Sequence, residues 1–461
     1  MPVRNIPRSD LPAAFPEKRA AAEKLGAAID SLGSGAEKGD GVLQESEIKA
    51  AIELARGDRV DGGGTARDHR AAALGLGASR QPVSTAPGGA NTVRSLFLEV
   101  MGELRSSRLD SAEKFAAEVQ TGKATQGITD ADLLADLTPL CTDPELSVRE
   151  AGGPQYIKSA QWVADKLASY GAKPLGDSKD GQRTFLQAFR WEERFVNKVS
   201  RSYNVVARFD GQGPEPRDAV LVIAHLDNLS AAEKLDYQRR GRDMSNYQGA
   251  NDNTSCVAAV LEMAQAIQES GPCRRDVIVL IPSAEEDGLK GTEAFCLAPP
   301  VPLDRIIGAV NLEMIGRNAT DELLCFGGGR GSEADDNPLY RRAIRLAGEY
   351  GTSLKPGHQF DDGEHWWDRS DHRVTANMGI PSIMLHGRAT PDSYHTNQDT
   401  LDKLNIEKIR VTARHLFRIV RDLANDPAPL EKRKQTQIPS WSTLGGYPGK
   451  VWPGAGDDPN V

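Results

Sequence analysis

Five residues of the kinds that bind metal ions, two histidines and three carboxylates, lie in short separate motifs of this sequence. They are His225, Asp252, Glu286, Glu313 and His395. Imidazole nitrogens and carboxylate oxygens are common ligands of zinc. Glu285 directly precedes Glu286, and such a pair suits a metal ligand beside a general base, because the two roles need separate positions and a shared water.

The surrounding sequence predicts how these residues are positioned. Short apolar runs rich in β-branched residues predict four buried strands, at residues 219–223, 277–281, 306–310 and 382–385. Four of the five motifs follow these strands, and Asp252 lies at a turn before an apolar helix at 257–267. Because open α/β sheets bind ligands beyond the carboxyl ends of their strands, we expect the motifs to meet there.

The ordered motifs resemble the di-zinc exopeptidase family that contains bacterial secreted aminopeptidases and glutamate carboxypeptidase. The resemblance covers residues 150–425 and implies an α/β protein, with a three-layer α/β/α zinc-exopeptidase fold and a mixed, mostly parallel central sheet. The motifs that carry it are Ala224-His225-Leu226-Asp227, Gly249-Ala250-Asn251-Asp252-Asn253, Ser283-Ala284-Glu285-Glu286, Asn311-Leu312-Glu313 and Tyr394-His395-Thr396.

The resemblance also implies a role for each metal ligand. His225 and Glu313 would hold one Zn²⁺, Glu286 and His395 a second, and Asp252 would bridge the two ions. Three carboxylates and one hydroxide balance the charge of two zinc ions when both histidines are neutral, as metal ligands require.

Three further residues are implied to serve catalysis. Glu285 would be the general base, Tyr394 would donate a hydrogen bond to the oxyanion, and Asp227 would accept the second imidazole proton of His225. The resulting hypothesis is a zinc-dependent exopeptidase with a peptide substrate, in the first place an aminopeptidase. A carboxypeptidase or dipeptidase, a single-zinc glutaminyl-cyclase-like transferase and a non-catalytic binding domain remain alternatives.

Some positions depart from the family pattern. Glu313 stands where aspartate is common, Cys256 replaces a glycine, and Thr375 stands where an aromatic residue is frequent. Ser370-Asp371-His372 is similar to a segment that lines the family's substrate pocket. We expect the charged stretch 230–248 to be a loop near the mouth of the site.

Composition restricts the partners. The net charge of −9 and the absence of a basic block argue against nucleic acid as a partner, and no apolar stretch approaches the roughly 20 residues of a membrane span. The start of the sequence, residues 1–20, lacks the apolar centre of a secretory signal. This predicts a cytoplasmic location, whereas the resemblance implies a secreted or periplasmic one as the alternative. The sequence does not indicate an oligomeric state.

Three further regions are expected around the enzyme domain. Residues 1–57 resemble a degenerate EF-hand-like helix-loop-helix, in which Asp40 and Glu47 occupy ligand positions of the loop but Ala36 and Lys38 do not supply oxygen ligands. This pattern favours a structural loop over a working Ca²⁺ site. Residues 58–149 are expected to form a linker and a helical region, and residues 426–461 an irregular tail.

Overall fold

The computed structural model describes residues 5–32, 39–56, 89–102, 111–193, 198–327, 337–357, 366–388, 393–428, 430 and 450–454. The chain forms two compact units, Met1–Gly127 and Ile128–Val461. The second unit therefore begins before residue 150, where the sequence analysis placed the start of the enzyme domain. Most of the predicted linker, residues 57–88, lies outside the described residues.

The first unit is helical, as predicted. Its helices are α1 (Asp10–Ala14), α2 (Arg19–Asp30), α3 (Glu45–Arg56), α4 (Gly89–Met101) and α5 (Ala112–Gly127). Strand β1 (Ile6–Pro7) pairs antiparallel with β2 (Val42–Leu43). Leu25, Ile29 and Ile48 belong to a shared apolar core, which the amphipathic patterns of α2 and α3 supply.

Around the loop between α2 and α3, acidic side chains accept hydrogen bonds from nearby backbone N–H groups. Asp40 Oδ1 accepts a hydrogen bond from the N–H of Val42 at 2.8 Å, and Glu47 Oε2 accepts one from the N–H of Gln44 at 2.9 Å. These contacts suit a loop that is stabilised without an ion. Ala36 and Lys38 lie outside the described residues. That the loop is structural and does not bind Ca²⁺ therefore stays a prediction.

The second unit is built on a ten-stranded mixed sheet. Its strands are β3 (Lys173–Pro174), β6 (Leu186–Glu192), β7 (Val199–Phe209), β8 (Ala219–Ile223), β9 (Asp276–Ile281), β10 (Ile306–Glu313), β11 (Leu324–Phe326), β12 (Lys355–Pro356), β13 (Ser382–His386) and β14 (Val451–Pro453). The main order is β12-β11-β13-β10-β8-β9-β7-β6-β14, with β3 beside β7. A separate small hairpin joins β4 (Ser178–Lys179) to β5 (Gln182–Arg183).

Parallel pairing occupies the centre of this sheet. β9, β8, β10 and β13 pair in parallel, whereas β7, β6 and β14 extend the sheet antiparallel on one side. Every residue of β8, β9 and β10 is buried. Because these strands are buried on both faces of the sheet, side chains on both faces must be apolar. This explains why the strands appear as unbroken apolar runs in the sequence.

Helices flank the sheet. They are α6 (Asp130–Thr142), α7 (Pro154–Ser169), α8 (Ala231–Arg239), α9 (Ser255–Ser270), α10 (Lys290–Leu297), α11 (Pro338–Tyr350), α12 (His372–Asn377) and α13 (Ile406–Asn425). The long helix α13 begins where the side chain of Asn405 accepts the N–H of Lys408 at 3.0 Å, a typical N-cap. Helix α9 packs against α13 and ends at Gly271, whose φ of 79° suits glycine.

Two predictions about irregular segments need correction. The stretch 230–248, predicted to be a loop, contains helix α8, which begins with a capping box between Ser230 and Glu233. The tail, predicted to be irregular, contributes β14, which pairs with β6 at the edge of the sheet. Residues 431–449 of that tail lie outside the described residues. No helix among the described residues is long and apolar enough to cross a membrane.

Candidate metal centre

The register of the central strands brings the ligand motifs to one edge of the sheet. Ile223 pairs with Leu280 on one side and with Asn311 on the other. The strands therefore end at the same level, and the residues that follow them emerge together. His225 follows the end of β8 by two residues and Glu285 follows the end of β9 by four, while Glu313 is the last residue of β10.

Two histidine and carboxylate clusters form at this edge. In the first, Nε2 of His225 lies 3.2 Å from Oδ1 of Asp252 and 3.7 Å from Oε1 of Glu313. In the second, Nε2 of His395 lies 3.1 Å from Oδ2 of Asp252 and 3.2 Å from Oε2 of Glu286. Within each cluster, the possible ligand atoms lie within 4.8 Å of one another. All five sequence-predicted ligands are thus brought together, in the predicted two groups.

Asp252 belongs to both clusters because each of its carboxylate oxygens faces a different histidine. The residue lies in a distorted helical turn, Ala250–Thr254, and the Asp252–Asn253 peptide bond is cis. Asp399 holds this turn, since its carboxylate accepts the N–H of Asn251 at 2.6 Å and that of Asp252 at 3.1 Å. Sequence reasoning missed Asp399, although it follows His395 by only four positions.

The neighbouring charges set the protonation of these side chains. Burial opposes the charged form of His225, but Glu285 and Glu313 outweigh it and raise its pKa well above the ordinary value. His395 behaves in the same way through Glu286. For Asp252, burial acts to raise the pKa, yet hydrogen bonds to both histidines dominate and lower it. In each cluster the carboxylates thus favour a positive charge on the histidine. The same carboxylates would favour a bound metal cation.

Glu285 lies beside the first cluster without belonging to either one. Its Oε2 is 3.8 Å from Nε2 of His225, and only 8% of the residue is exposed. Burial raises the pKa of Glu285 well above its usual range, and the nearby Glu313 adds to this effect. A carboxylate with a raised pKa is a better proton acceptor near neutral pH, which is the property a general base needs.

Asp227 was predicted to accept the second imidazole proton of His225 through its carboxylate. Nδ1 of His225 lies 3.1 Å from the backbone oxygen of Asp227 and 3.6 Å from its carboxylate. The carboxylate also accepts the N–H groups of Glu285 and Glu286, at 3.2 and 3.3 Å. Asp227 therefore orients the histidine through its main chain and fixes the Glu285-Glu286 turn through its side chain.

A cleft opens between the two clusters. Its walls include Met314, Trp366, Arg369, Met384 and Tyr394. The ring of Tyr394 stacks on that of His395, with centroids 3.8 Å apart and an interplanar angle of 22°. This places the predicted oxyanion donor next to the second cluster.

The segment that was predicted to line the pocket divides into two parts. Ser370 lines the cleft, and its hydroxyl donates to Oε2 of Glu313 at 2.6 Å while accepting from Nδ2 of Asn311 at 2.7 Å. This chain of hydrogen bonds leaves Oε1 of Glu313 directed at the first cluster. Asp371 and His372 are fully buried.

Thr375, which stands where an aromatic residue is frequent in the family, is not among the residues that line the cleft. It is fully buried, and its hydroxyl lies 2.8 Å from that of Ser382, so it belongs to the core and not to the walls of the cleft.

A buried arginine that sequence reasoning missed connects the loops around both clusters. Arg149 is fully buried and donates to backbone oxygens of Leu140, Leu226 and Gly249, among others. Leu226 follows His225, and Gly249 precedes the turn that contains Asp252. One guanidinium therefore fixes segments that are far apart in sequence, and a lone arginine outside any motif gives no local signal of this role.

Helix α8 and the loop after it also contact the site. The ring of Tyr237 packs edge-on against His395, with centroids 4.9 Å apart, and Arg242 donates to the backbone oxygen of Tyr394. The local signal that was missed is Ser230 with Glu233 three positions later, which is the pattern of a capping box. The helix holds the second cluster in place.

The donor set fits zinc. Each cluster offers one imidazole nitrogen and two carboxylate oxygens, which are normal zinc ligands, and three protein ligands are typical of catalytic sites. A mixed α/β sheet with such clusters beyond its parallel strands offers a place for metal ions at one edge of the sheet. Residues 204–420 match the model of peptidase family M28.

Known relatives are distant. A probable zinc metalloprotease of Pyricularia oryzae is 25% identical over 266 residues, which are 52% of this chain and 50% of the relative. The leupeptin-inactivating enzyme 1 of Streptomyces exfoliatus is 25% identical over 242 residues, 46% of either chain. The chain thus spans half or less of the length of these curated relatives.

Two solved structures align with part of this chain. An aminopeptidase from Aneurinibacillus sp. strain AM-1 aligns with a TM-score of 0.49 at 16% identity, covering 68% of this chain and 98% of that one. A glutaminyl cyclase from Porphyromonas gingivalis aligns with a TM-score of 0.46 at 16% identity, covering 63% and 97%.

Proposed function

We propose that this protein is a two-zinc aminopeptidase that removes residues from the N-terminus of peptides. The observation that carries the proposal is the position of Asp252, whose two oxygens face different histidines at 3.2 and 3.1 Å. A single carboxylate in that position would join two metal sites. His225 and Glu313 would complete the first site, and Glu286 and His395 the second.

The charges around the cleft support action at the N-terminus. Bound zinc would balance Asp252, Glu286 and Glu313 in the cleft, but an adjoining cavity that shares Glu286 is also lined by Glu150, Glu193, Glu233 and Asp287. Such an excess of carboxylates attracts a positively charged group. Every unmodified peptide carries an ammonium group at its N-terminus, whereas a C-terminal carboxylate would be repelled by most of these side chains.

The residues around the cleft would then have separate roles in peptide hydrolysis. When bound, zinc polarises the scissile carbonyl and lowers the pKa of water. Glu285, held by the Asp227 carboxylate through its N–H, accepts a proton from the attacking water and returns it to the leaving amine. Tyr394 donates a hydrogen bond to the developing oxyanion. The Asp227 backbone and Ser370 orient His225 and Glu313.

One residue favours a second candidate, a carboxypeptidase. Arg369 lines the cleft, and a guanidinium binds carboxylates with good geometry. In that arrangement Arg369 would bind the C-terminal carboxylate of the substrate. The greater number of acidic side chains leads us to prefer the aminopeptidase.

The test is mass spectrometry of defined peptides incubated with the zinc-loaded protein, with a chelator-treated sample as control. Matched peptides carry a free, an acetylated or a pyroglutamyl-forming glutamine N-terminus, and a free or amidated C-terminus. Chelator-sensitive loss of N-terminal residues from free and amidated peptides, but not from acetylated ones, is the expected result. Shortening from the C-terminus would establish the carboxypeptidase, and cyclisation of glutamine without cleavage would establish a cyclase. Unchanged peptides would contradict the proposal.

A further inference from the structure

The side chain of Tyr394 is held at several points. Its ring stacks on His395, and its backbone oxygen accepts a hydrogen bond from Arg242. Its edge-on neighbour is Trp366, with ring centroids 6.1 Å apart. These contacts restrict the ring but do not determine where the hydroxyl proton points.

Arg369 makes the contact that bears on this proton. Its Nη2 atom donates to the hydroxyl oxygen of Tyr394 at 3.1 Å. The guanidinium carbon lies 4.7 Å from the ring centre of Trp366 and 5.3 Å from that of Tyr394. The guanidinium is therefore placed by two aromatic rings, and its neighbour Ser370 is fixed by hydrogen bonds to Asn311 and Glu313.

The chemistry of the two groups decides the direction of the hydrogen bond. A guanidinium has only donors, whereas a phenol can donate once and accept. Tyr394 must therefore accept from Arg369, and its own O–H remains available for another acceptor. Since Tyr394 lines the cleft beside Glu285 and Glu286, that acceptor can be a substrate atom.

We propose that Arg369 is a positioning residue, which orients the hydroxyl of Tyr394 so that its proton is donated to the carbonyl oxygen of the substrate. This inference rests on the proposed peptidase function and deepens it. The positive charge beside the phenol oxygen also strengthens the hydrogen bond that the phenol donates, because linked hydrogen bonds polarise one another. No proton leaves Tyr394 in this arrangement. The effect of Arg369 on catalysis passes through that tyrosine.

A double-mutant cycle tests this coupling. Arg369→Met is expected to lower kcat about tenfold with KM within about twofold of wild type, and Tyr394→Phe to lower kcat about 100-fold, as for loss of an oxyanion donor. In the Tyr394→Phe background, Arg369→Met should change kcat by less than about twofold. Arg369→Lys keeps the charge and a donor, so it should recover part of the loss.

Two kinetic outcomes would overturn the proposal. One is an equal loss of kcat on replacing Arg369 in both backgrounds, which would mean that it acts independently of Tyr394. The other is a rise in KM with kcat unchanged, which would make Arg369 a group that binds substrate directly. The matched control is Arg373→Met, since Arg373 contacts Asp368 nearby. Zinc content and melting temperature show whether each variant is folded.

A second measurement does not depend on activity. Tyrosines labelled with ¹³C at the ring carbon that bears the hydroxyl give one resonance each, nine in total, and Tyr394→Phe identifies the one of interest. Arg369→Met should shift that resonance and Arg373→Met should not, whereas an unmoved resonance would exclude the Arg369 contact. If the wild-type protein cleaves no peptide, the proposed function fails, and this resonance still decides the contact.

Discussion

Replacing Glu285 by glutamine preserves the size of the side chain and removes its capacity to accept a proton. Glu285 is buried beside His225 and Glu313, and its pKa is raised well above the usual range. A general base contributes about 10²- to 10⁴-fold to the rate, most when its pKa lies near the working pH. We therefore expect kcat to fall about 10³- to 10⁴-fold. At 1.36 kcal/mol for each factor of ten, this is about 4 to 5.5 kcal/mol of activation free energy.

Zinc content should be unaffected by the same change. Glu285 belongs to neither ligand cluster, and glutamine keeps the size of the side chain, so the five ligand side chains should stay in place. The assay measures release of the N-terminal residue together with bound zinc by elemental mass spectrometry. Glu286→Gln is the matched comparison, because it changes the neighbouring carboxylate, which does belong to a cluster, and is expected to lose zinc.

Either of two results would contradict the role of Glu285 as a general base that does not bind zinc. If Glu285→Gln keeps kcat within about tenfold of wild type, the residue is not the general base. If the variant instead loses zinc to the same extent as Glu286→Gln, then Glu285 is a ligand, and the division of roles between the adjacent carboxylates is wrong.

Three other changes give independent checks. Asp252→Ala should reduce bound zinc below one ion per chain, because both clusters lose an oxygen; retention of two ions would disprove the bridging position. Arg149→Met leaves several buried backbone oxygens without a donor. It should lower the free energy of unfolding in urea by about 3 to 5 kcal/mol, as for other buried charged networks. A change below about 1 kcal/mol would contradict the role of Arg149. Burial and the nearby Asp136 raise the pKa of Glu262 from its ordinary 4.5 to about 8. Between these two pH values the folded state keeps a proton that the unfolded state loses. The free energy of unfolding therefore falls as the pH rises from about 4.5 to about 8. Glu262→Gln should therefore raise the free energy of unfolding by about 3 to 4 kcal/mol more at pH 8 than at pH 5, and an equal effect at both pH values would show that the carboxyl group is not responsible.

Local residue patterns were sufficient to predict several elements of the fold. The apolar runs that became β8, β9, β10 and β13 predicted strands, because a strand buried on both faces needs continuous apolar residues. The motifs that follow these strands contain four of the five residues that form the clusters, and Glu285, since the ends of parallel strands share one edge of the sheet. Asp252 belongs instead to a turn before a helix. Segment 230–248 was wrongly predicted to be a loop from its charged residues, although it contains a capping box and a helix.

The interactions between groups that are distant in sequence become apparent only in the folded chain. Asp252 faces two histidines, and the Asp227 carboxylate holds the Glu285 turn while the backbone oxygen of Asp227 contacts the ring of His225. Arg149 and Arg369 have no motif of their own, and their roles come from carbonyl and phenol oxygens that folding brings within hydrogen-bond distance. The physical reason is that strand and helix patterns record burial along the chain, whereas a hydrogen bond depends on distance and direction between atoms, which are set when the whole sheet and its loops have packed.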